Sequence, residues 1–540
     1  MMERRRPRTC RSKNGMVSSA SAEASKIGSD ILEKGGNAFD AALAVGYALG
    51  VSEPQASGIG GQSMALIYLA EEKRYLALDG SSYAPYHFQP DSRPKKPFKV
   101  GLAASTLPST VAFYGYLHDR YGTLNYADLL EPSIRLAEKG FVVSELLASL
   151  IEKHRRELIK DPIISETFFK DGETLKAGER LSQPLLASCL RRLSERGWED
   201  FYTGETMRMI VGDMVERDGL LRKEDFVQIP VPIERPVLEG RYRKHGLITF
   251  PPPGAGRVLM QIMHILNHFD AQEIDPASVE GNMVLALAFQ LTLRDRRRMP
   301  QNPDIYFQQE TFTMGEKAYA AEVKATIERI IAGYKDREPA ISAPLTSGET
   351  THFCVQDKTG NIVAVTQSIE LVFGAKRTAK GLGFFYNNYM SAFEYKDRSH
   401  PYYLLPRNRP WSSVAPTIVT YRKRPVLVLG SPGSDRISTA LAQVLVRYLD
   451  YNEDLAEAID APRFHTTEKK QLQLESGRFS EHHIKAFKGL GFDMKKRSDY
   501  SFYLGCVQAI ELPKSKNRYK SYGIADPRRD GSAQGPIKVR

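Results

Sequence analysis

The sequence predicts an α+β protein, and three observations carry that prediction. Residues 350–370 read as a hairpin with a turn-forming connection. Most of residues 107–333 carries helical patterns interrupted by few strands. Hydrophobic residues make up 42% of the 540, enough for a sizeable core. That length suits either two or more average domains or one large fold.

The elements follow in chain order. Residues 1–13 begin Met1-Met2-Glu3-Arg4-Arg5-Arg6-Pro7-Arg8; they are basic and are expected to form a disordered extension, with Met16 an alternative start. No apolar stretch follows the basic residues, so no secretory signal is expected. Small and apolar residues all round 37–49 predict a buried helix. Ser63–Leu69 and Tyr75–Leu78 read as successive strands around Glu71-Glu72-Lys73. Helices are predicted over Leu129–Lys139, Ser144–Lys160, Pro184–Arg196 and Glu205–Arg217. Leu247–Phe250 is a strand that ends at prolines. Further helices are predicted over 256–268, 278–297 and 315–333. Pro339, Pro344 and Gly348 mark 334–349 as a loop. Beyond the hairpin come strands Thr417–Tyr421 and Val426–Gly430, then helices Arg436–Asp450 and Asn452–Ala461.

The hairpin carries the chemistry. Asp357-Lys358-Thr359-Gly360-Asn361 joins strands Thr350–Gln356 and Ile362–Ser368. Phe353, Val355, Val363 and Val365 form one apolar face. Pairing Gln356 with Ile362 sets Thr350 opposite Ser368, so two hydroxyls meet at the open end. A threonine hydroxyl is a weak nucleophile until a base stands beside it. An N-terminal threonine carries its own, an α-amine with a pKa of about 7.7–8.0. Thr350 lies deep in the chain, so that chemistry requires a cut after Glu349, which the same hydroxyl can make. A plain hairpin with a surface Thr-Thr pair is the bland alternative.

Composition excludes several classes. No apolar run is long enough to span a membrane. Cys10, Cys189, Cys354 and Cys506 are far apart and show no metal-ligand spacing; they suit a reducing cytoplasm. The 11 histidines include no HExxH pair, so neither metal nor cofactor is expected. His352 beside the threonines reads as structural. The net charge of +11 lies in short clusters such as Arg296–Arg298 without interleaved aromatics, which reads as a solvated surface and not a nucleic-acid platform. Gly58-Ile59-Gly60-Gly61 lacks the remaining residues of a nucleotide loop and reads as a tight turn.

Ordered landmarks along the chain resemble the γ-glutamyltranspeptidase family of N-terminal-nucleophile amidohydrolases. They are Gly35-Gly36-Asn37-Ala38-Phe39-Asp40, Glu53-Pro54-Gln55-Ala56-Ser57-Gly58-Ile59-Gly60-Gly61, Pro251-Pro252-Pro253-Gly254, Asn387-Asn388, Pro410-Trp411-Ser412-Ser413, Gly430-Ser431-Pro432-Gly433 and Asp526-Pro527-Arg528-Arg529-Asp530-Gly531. The resemblance implies a four-layer αββα fold. It also implies a precursor that cuts itself into 14–349 (preceded by the extension) and 350–540, both parts of one compact domain. Thr350 would be the nucleophile, Ser368 the hydroxyl that touches it, and Gly433 with Ser434 the oxyanion donors. Ser412 and Ser413 would hold a substrate carboxylate. The implied substrate is a γ-glutamyl or related acyl amide, and the two cleaved chains would stay associated, a higher oligomer being open.

Departures from the pattern accompany the matches. Ser81 stands where the family carries a carboxylate-clamping arginine, and Ala392, after Tyr389, replaces an aspartate. Glu370 occupies a position that is asparagine in many members; with Ser81 and Tyr389 it is expected to line the substrate site. Glu370 would bind a cationic part of the substrate, and Lys376, Arg377 or Arg409 an anionic part. Three readings stand at this point: a γ-glutamyl enzyme, an acylase for a glutaryl or other acyl amide, or a scaffold that binds without turnover.

Overall fold

The structure is a computed structural model that describes residues 6–88, 97–305, 312–333, 348–512 and 521–537. Two seven-stranded antiparallel sheets stack face to face. The first runs Arg8–Ser12, Ser521–Ala525, Gln508–Glu511, Arg424–Gly430, Thr417–Tyr421, His245–Thr249, Leu238–Tyr242. The second runs Ser532–Gln534, Gly15–Ser19, Gly348–Asp357, Ile362–Leu371, Gln62–Leu69, Arg74–Gly80, Ile233–Arg235. The predicted hairpin is therefore central, with a strand on either side.

Side-chain alternation sorts this hairpin between two cores. Phe353, Val355, Val363 and Val365 turn outward onto a helical layer that includes Ala38–Ser52, Thr110–Tyr121 and Tyr126–Lys139. Cys354, Ile362 and Ala364 turn inward and meet Ile418, Val428 and Ile510 of the first sheet. The outer face of the first sheet is covered by Gly256–Leu266, Val279–Arg298 and Arg436–Asp450. The result is four layers, αββα, as the resemblance implies.

Local chemistry fixes the hairpin in place. Asp357 Oδ1 accepts the amides of Thr359, Gly360 and Asn361 at 2.9, 2.9 and 3.0 Å. Its Oδ2 accepts the Ala38 amide at 3.1 Å, which ties the turn to the start of the buried helix. Asn37 caps that helix by accepting the amides of Phe39 and Asp40. Gly61 lies so close to the hairpin that a β-carbon there would stand 2.2 Å from the Ser368 carbonyl oxygen. The glycine run thus serves backbone packing.

One expectation about the first part of the chain is corrected. Arg8–Ser12 is not a disordered extension; it pairs with Ser521–Ala525 as an edge strand. Arg8 Nη1 donates to the carbonyls of Asp530 and Gly531, and the Arg11 guanidinium stacks 3.7 Å from the Tyr522 ring centroid. Pairing with a distant strand, not local pattern, orders the segment. Residues 22–33 form a helix that polar composition hides. Its Gly28 permits close approach, since a β-carbon there would sit 2.4 Å from Val45 Cγ2. Of the predicted loop, 334–347 lies outside the described residues, and Gly348 with Glu349 already belongs to the hairpin strand.

Candidate active site

The register of the hairpin holds from Gln356↔Ile362 up to Thr351↔Gln367, then shifts before Glu349↔Glu370. The bulge lies in the second strand and sets Ser368 and Ile369 opposite Thr350. The Thr350 hydroxyl donates to Ser368 Oγ at 3.2 Å. Ser368 Oγ also accepts the Glu370 amide at 2.9 Å and donates to the Glu349 carbonyl oxygen at 2.8 Å. One hydroxyl group therefore joins the Thr350 hydroxyl to the carbonyl of the bond before it.

Charge behind the bulge fixes Glu349. Its carboxylate is buried, pairs with Arg529, and accepts the Thr350 amide at 3.2 Å. Arg529 reaches Glu53 at 3.1 Å, and Glu53 accepts the Thr351 hydroxyl. Glu53 comes from the loop after the buried helix and Arg529 from the end of the chain. Two distant segments meet on two residues of one strand. Pattern reading missed this network, although Glu53 and Arg529 both lie in the family-like landmarks.

Thr350 opens onto a cleft of about 380 Å³ whose walls include Glu370, Tyr389, Ser412, Ser413 and Ser434. Gly433 and Ser434 both have positive φ, 123° and 54°. The segment folds against the residue before the Glu349–Thr350 pair, since a β-carbon on Gly348 would lie 2.7 Å from Ser434 Cβ. Arg436 Nη2 donates to the Gly348 carbonyl at 2.9 Å. Ser412 donates its amide to the Pro253 carbonyl at 3.0 Å. The remaining predicted residue, Ser81, is not on the cleft wall. Its hydroxyl donates to Asp79 Oδ1 at 2.5 Å, and Asp79 Oδ2 in turn accepts Arg235 Nε at 2.7 Å. Sequence position put Ser81 at the site; the nearby carboxylate turns it away.

Lys376, Arg377 and Arg409 do not line this cleft either. Arg377 donates to the Glu157 and Lys376 carbonyls, and Arg409 stacks on Tyr83 and pairs with Asp304 at 3.2 Å. Arg257, Arg296 and Arg297 do line the cleft; Arg296 comes from the last turn of Val279–Arg298, where the helix dipole favours a positive charge. It forms a bidentate pair with Asp435 at 2.6 and 2.9 Å and lies 5.3 Å from the Trp411 ring centroid. The Ser413 hydroxyl also donates to Asp435 Oδ1, at 3.2 Å. Neither Arg296 nor Asp435 was singled out from sequence. Arg296 read as part of a solvated cluster, while Asp435 directly follows Gly433–Ser434, which was the available signal.

These contacts divide the carboxylates. Burial alone would raise Asp435, but Arg296 outweighs it and holds the group well below the usual range. Glu370 is pushed up to about 7 by burial and by the Asp435 charge. Tyr389 is buried; burial and the Glu370 charge push its phenol up, against hydrogen bonding with Ser368 and Gln62. His352 is not at the cleft. Burial pushes it down to about 3, its Nδ1 meets Thr366 Oγ1 at 2.9 Å, and it fills the space over Gly430. Among the described residues no group of three or more His, Cys, Asp or Glu is placed to hold a metal ion.

A hydroxyl beside a peptide carbonyl, a second hydroxyl bridging the two, and positive-φ backbone at the cleft rim can perform acyl transfer. Known proteins point the same way. The sequence model described as Gamma-glutamyltranspeptidase matches residues 24–535. The Glutathione hydrolase proenzyme of Escherichia coli (strain K12) is 35% identical, across 96% of this chain and 91% of that protein. The Acylase ACY 1 proenzyme of Pseudomonas sp. (strain SE83) is 33% identical, across 85% of this chain and 84% of its own. The crystal structure of cephalosporin acylase from Bacillus halodurans superposes with a TM-score of 0.87 at 26% identity, covering 99% of this chain and 98% of that one.

Proposed function

Since the chain belongs to the γ-glutamyltranspeptidase family, whose members are hydrolytic enzymes, we propose that it is a self-processing threonine hydrolase or acyltransferase acting through an acyl-enzyme on Thr350. The observation that carries this reading is the hydrogen-bonded string from the Thr350 hydroxyl through Ser368 to the Glu349 carbonyl. In the cut, Thr350 Oγ1 bonds to the Glu349 carbonyl carbon. Its proton passes to Ser368 while the Ser368 proton passes to the carbonyl oxygen. Collapse breaks the C–N bond with a proton on the departing nitrogen, and water then hydrolyses the ester. Residues 1–349 and 350–540 result and stay together as one domain.

The freed α-amine of Thr350 then serves as base for substrate, with Gly433 and Ser434 amides receiving the oxyanion. The substrate is a small γ-glutamyl-type or related acyl amide. The acylase reading gains support from the charge arrangement around Arg296 and Glu370 and from the displaced Ser81. The four cysteines are free, which suits a reducing cytoplasm, and no described helix is long and apolar enough to cross a membrane.

Intact mass of freshly purified protein, with Thr350→Ala beside it, tests the reading. Two fragments meeting at Glu349–Thr350, absent in the variant, are expected, with amide hydrolysis in the cut form only. One uncut chain in both samples would sink the proposal and leave a binding scaffold.

A further inference from the structure

The cleft wall opposite Thr350 carries a specificity signal that rests on the acyl-transfer reading but says more than it. Arg296 is the guanidinium beside Ser413, and both of its terminal nitrogens are bonded to Asp435. Asp435 also accepts the Ser413 hydroxyl. The strongest partner this wall could offer a substrate carboxylate is thus already satisfied from within. Arg436, the next residue, is turned away: it bonds the Gly348 carbonyl and stacks 3.9 Å from the Tyr503 ring centroid. Arg297, at the outer rim, pairs with Glu468.

Glu370 presents the opposite situation. Its backbone sits at φ 81°, held by its amide bond to Ser368, two residues from the hydroxyl that touches Thr350. Among the described residues its carboxylate has neither a hydrogen bond nor an ion pair, and it lines the same cleft as Asp435. The charged lining of this cleft comprises four carboxylates (Asp295, Glu370, Glu394 and Asp435) and three guanidiniums (Arg257, Arg296 and Arg297), so negative charge is in excess by one. A carboxylate on the acyl group would have to displace Asp435 from Arg296 and lie beside it, like charge against like charge. An ammonium on the acyl group would meet Glu370 with nothing to displace.

We propose that Asp435 is a specificity-determining residue: by occupying Arg296 it makes the acyl pocket favour groups that carry an ammonium over groups whose only charge is a carboxylate. Selection is by repulsion of the wrong substrate as much as by attraction of the right one. The reaction on such a group is ordinary amide hydrolysis. Thr350 Oγ1 takes the acyl carbon, the amine leaves with a proton, and water releases the ω-amino acid.

Four p-nitroanilides test this on the cleaved enzyme: 4-aminobutyryl, butyryl, γ-glutamyl and glutaryl. The expected order of kcat/KM runs from 4-aminobutyryl through butyryl to glutaryl, with γ-glutamyl below 4-aminobutyryl. The extremes should differ by at least about tenfold, the equivalent of one modest charge interaction. In Asp435→Asn the glutaryl to 4-aminobutyryl ratio should rise about tenfold as Arg296 is released. Self-cleavage seen by mass reports that the variant has folded; if it does not cleave, Asp435→Ser takes its place. Equal or faster glutaryl hydrolysis by the unaltered enzyme overturns the proposal, as does an unchanged ratio in the variant. If the cleaved enzyme turns over none of the four, the hydrolase reading fails separately. Calorimetry with 4-aminobutyrate and glutarate then decides the pocket: tighter binding of 4-aminobutyrate upholds the proposal, and equal binding, tighter glutarate or no binding overturns it.

Discussion

Around the Thr350 hydroxyl the hairpin's polar groups are bonded to one another, whereas one carboxylate of the same hairpin, Glu370, is left over toward the cleft. The Ser368 hydroxyl accepts from Thr350 and Glu370 and donates to Glu349, and Glu349 is gripped by Arg529. Elsewhere on the cleft wall Arg296 is consumed by Asp435, while Glu370, on the hairpin itself, stands without an ion pair among the described residues. The saturated end tolerates little change, because each atom answers to a bond that must form or break. The wall has only to favour one charge over another, and can be rewritten without disturbing the fold. This contrast accounts for a chain that keeps its family-like threonine pair while altering the residues expected to hold substrate.

The contrast can be broken most severely at its saturated end. Ser368→Ala should slow self-cleavage about 10²–10³-fold, the cost of removing one positioned donor to a developing oxyanion. Ser368→Thr should restore most of the rate; fragment formation followed by mass reports both. Arg529→Met should cost about 3–5 kcal/mol, because Glu349 and Glu53 would remain as buried, unpaired carboxylates. Thermal unfolding measures this, and a shift of under a degree would show the network to be incidental.

The unpaired hairpin carboxylate should respond to pH more than to truncation. Glu370 lies at about 7 in the folded protein against an ordinary 4.5. A raised carboxyl binds its proton more tightly when folded. Its contribution is therefore full below pH 4.5 and lost as pH rises toward 7. The stability difference between Glu370→Gln and the parent should move in the variant's favour across that window, and parallel curves would refute the assignment. The smallest effect belongs to Ser434, at φ 54°. Ser434→Gly should gain about 1 kcal/mol by relieving a left-handed conformation, read as a higher Tm of the uncut Thr350→Ala background.

Much of the saturated end was legible in the sequence. Period-two alternation set the register at Gln356↔Ile362, and that register brought Thr350 to Ser368. The bulge was not legible, since nothing in the alternation marks Ser368 and Ile369 as the extra pair, nor was the grip of Arg529 on Glu349 from the far end of the chain. The helices Pro184–Arg196 and Arg436–Asp450 follow from pattern alone. By contrast, Arg8–Ser12 is a strand only because Ser521–Ala525 pairs with it. The wall was the least legible part. Asp435 and Arg296 are 139 residues apart, and nothing local says that they meet. Ser81 and Arg409 held suggestive positions, yet Asp79 and Asp304 claim them.

The bulge has a kinetic consequence. The Thr350 hydroxyl, the Ser368 hydroxyl and the Glu349 carbonyl belong to one chain and are already in contact. A cut made there is first order in protein. Its half-time should be the same in a dilute sample as in a concentrated one, and adding mature enzyme should not hasten it. Each molecule would keep its own clock, started by folding, and a newly made pool would gain activity after a delay that no neighbour can shorten.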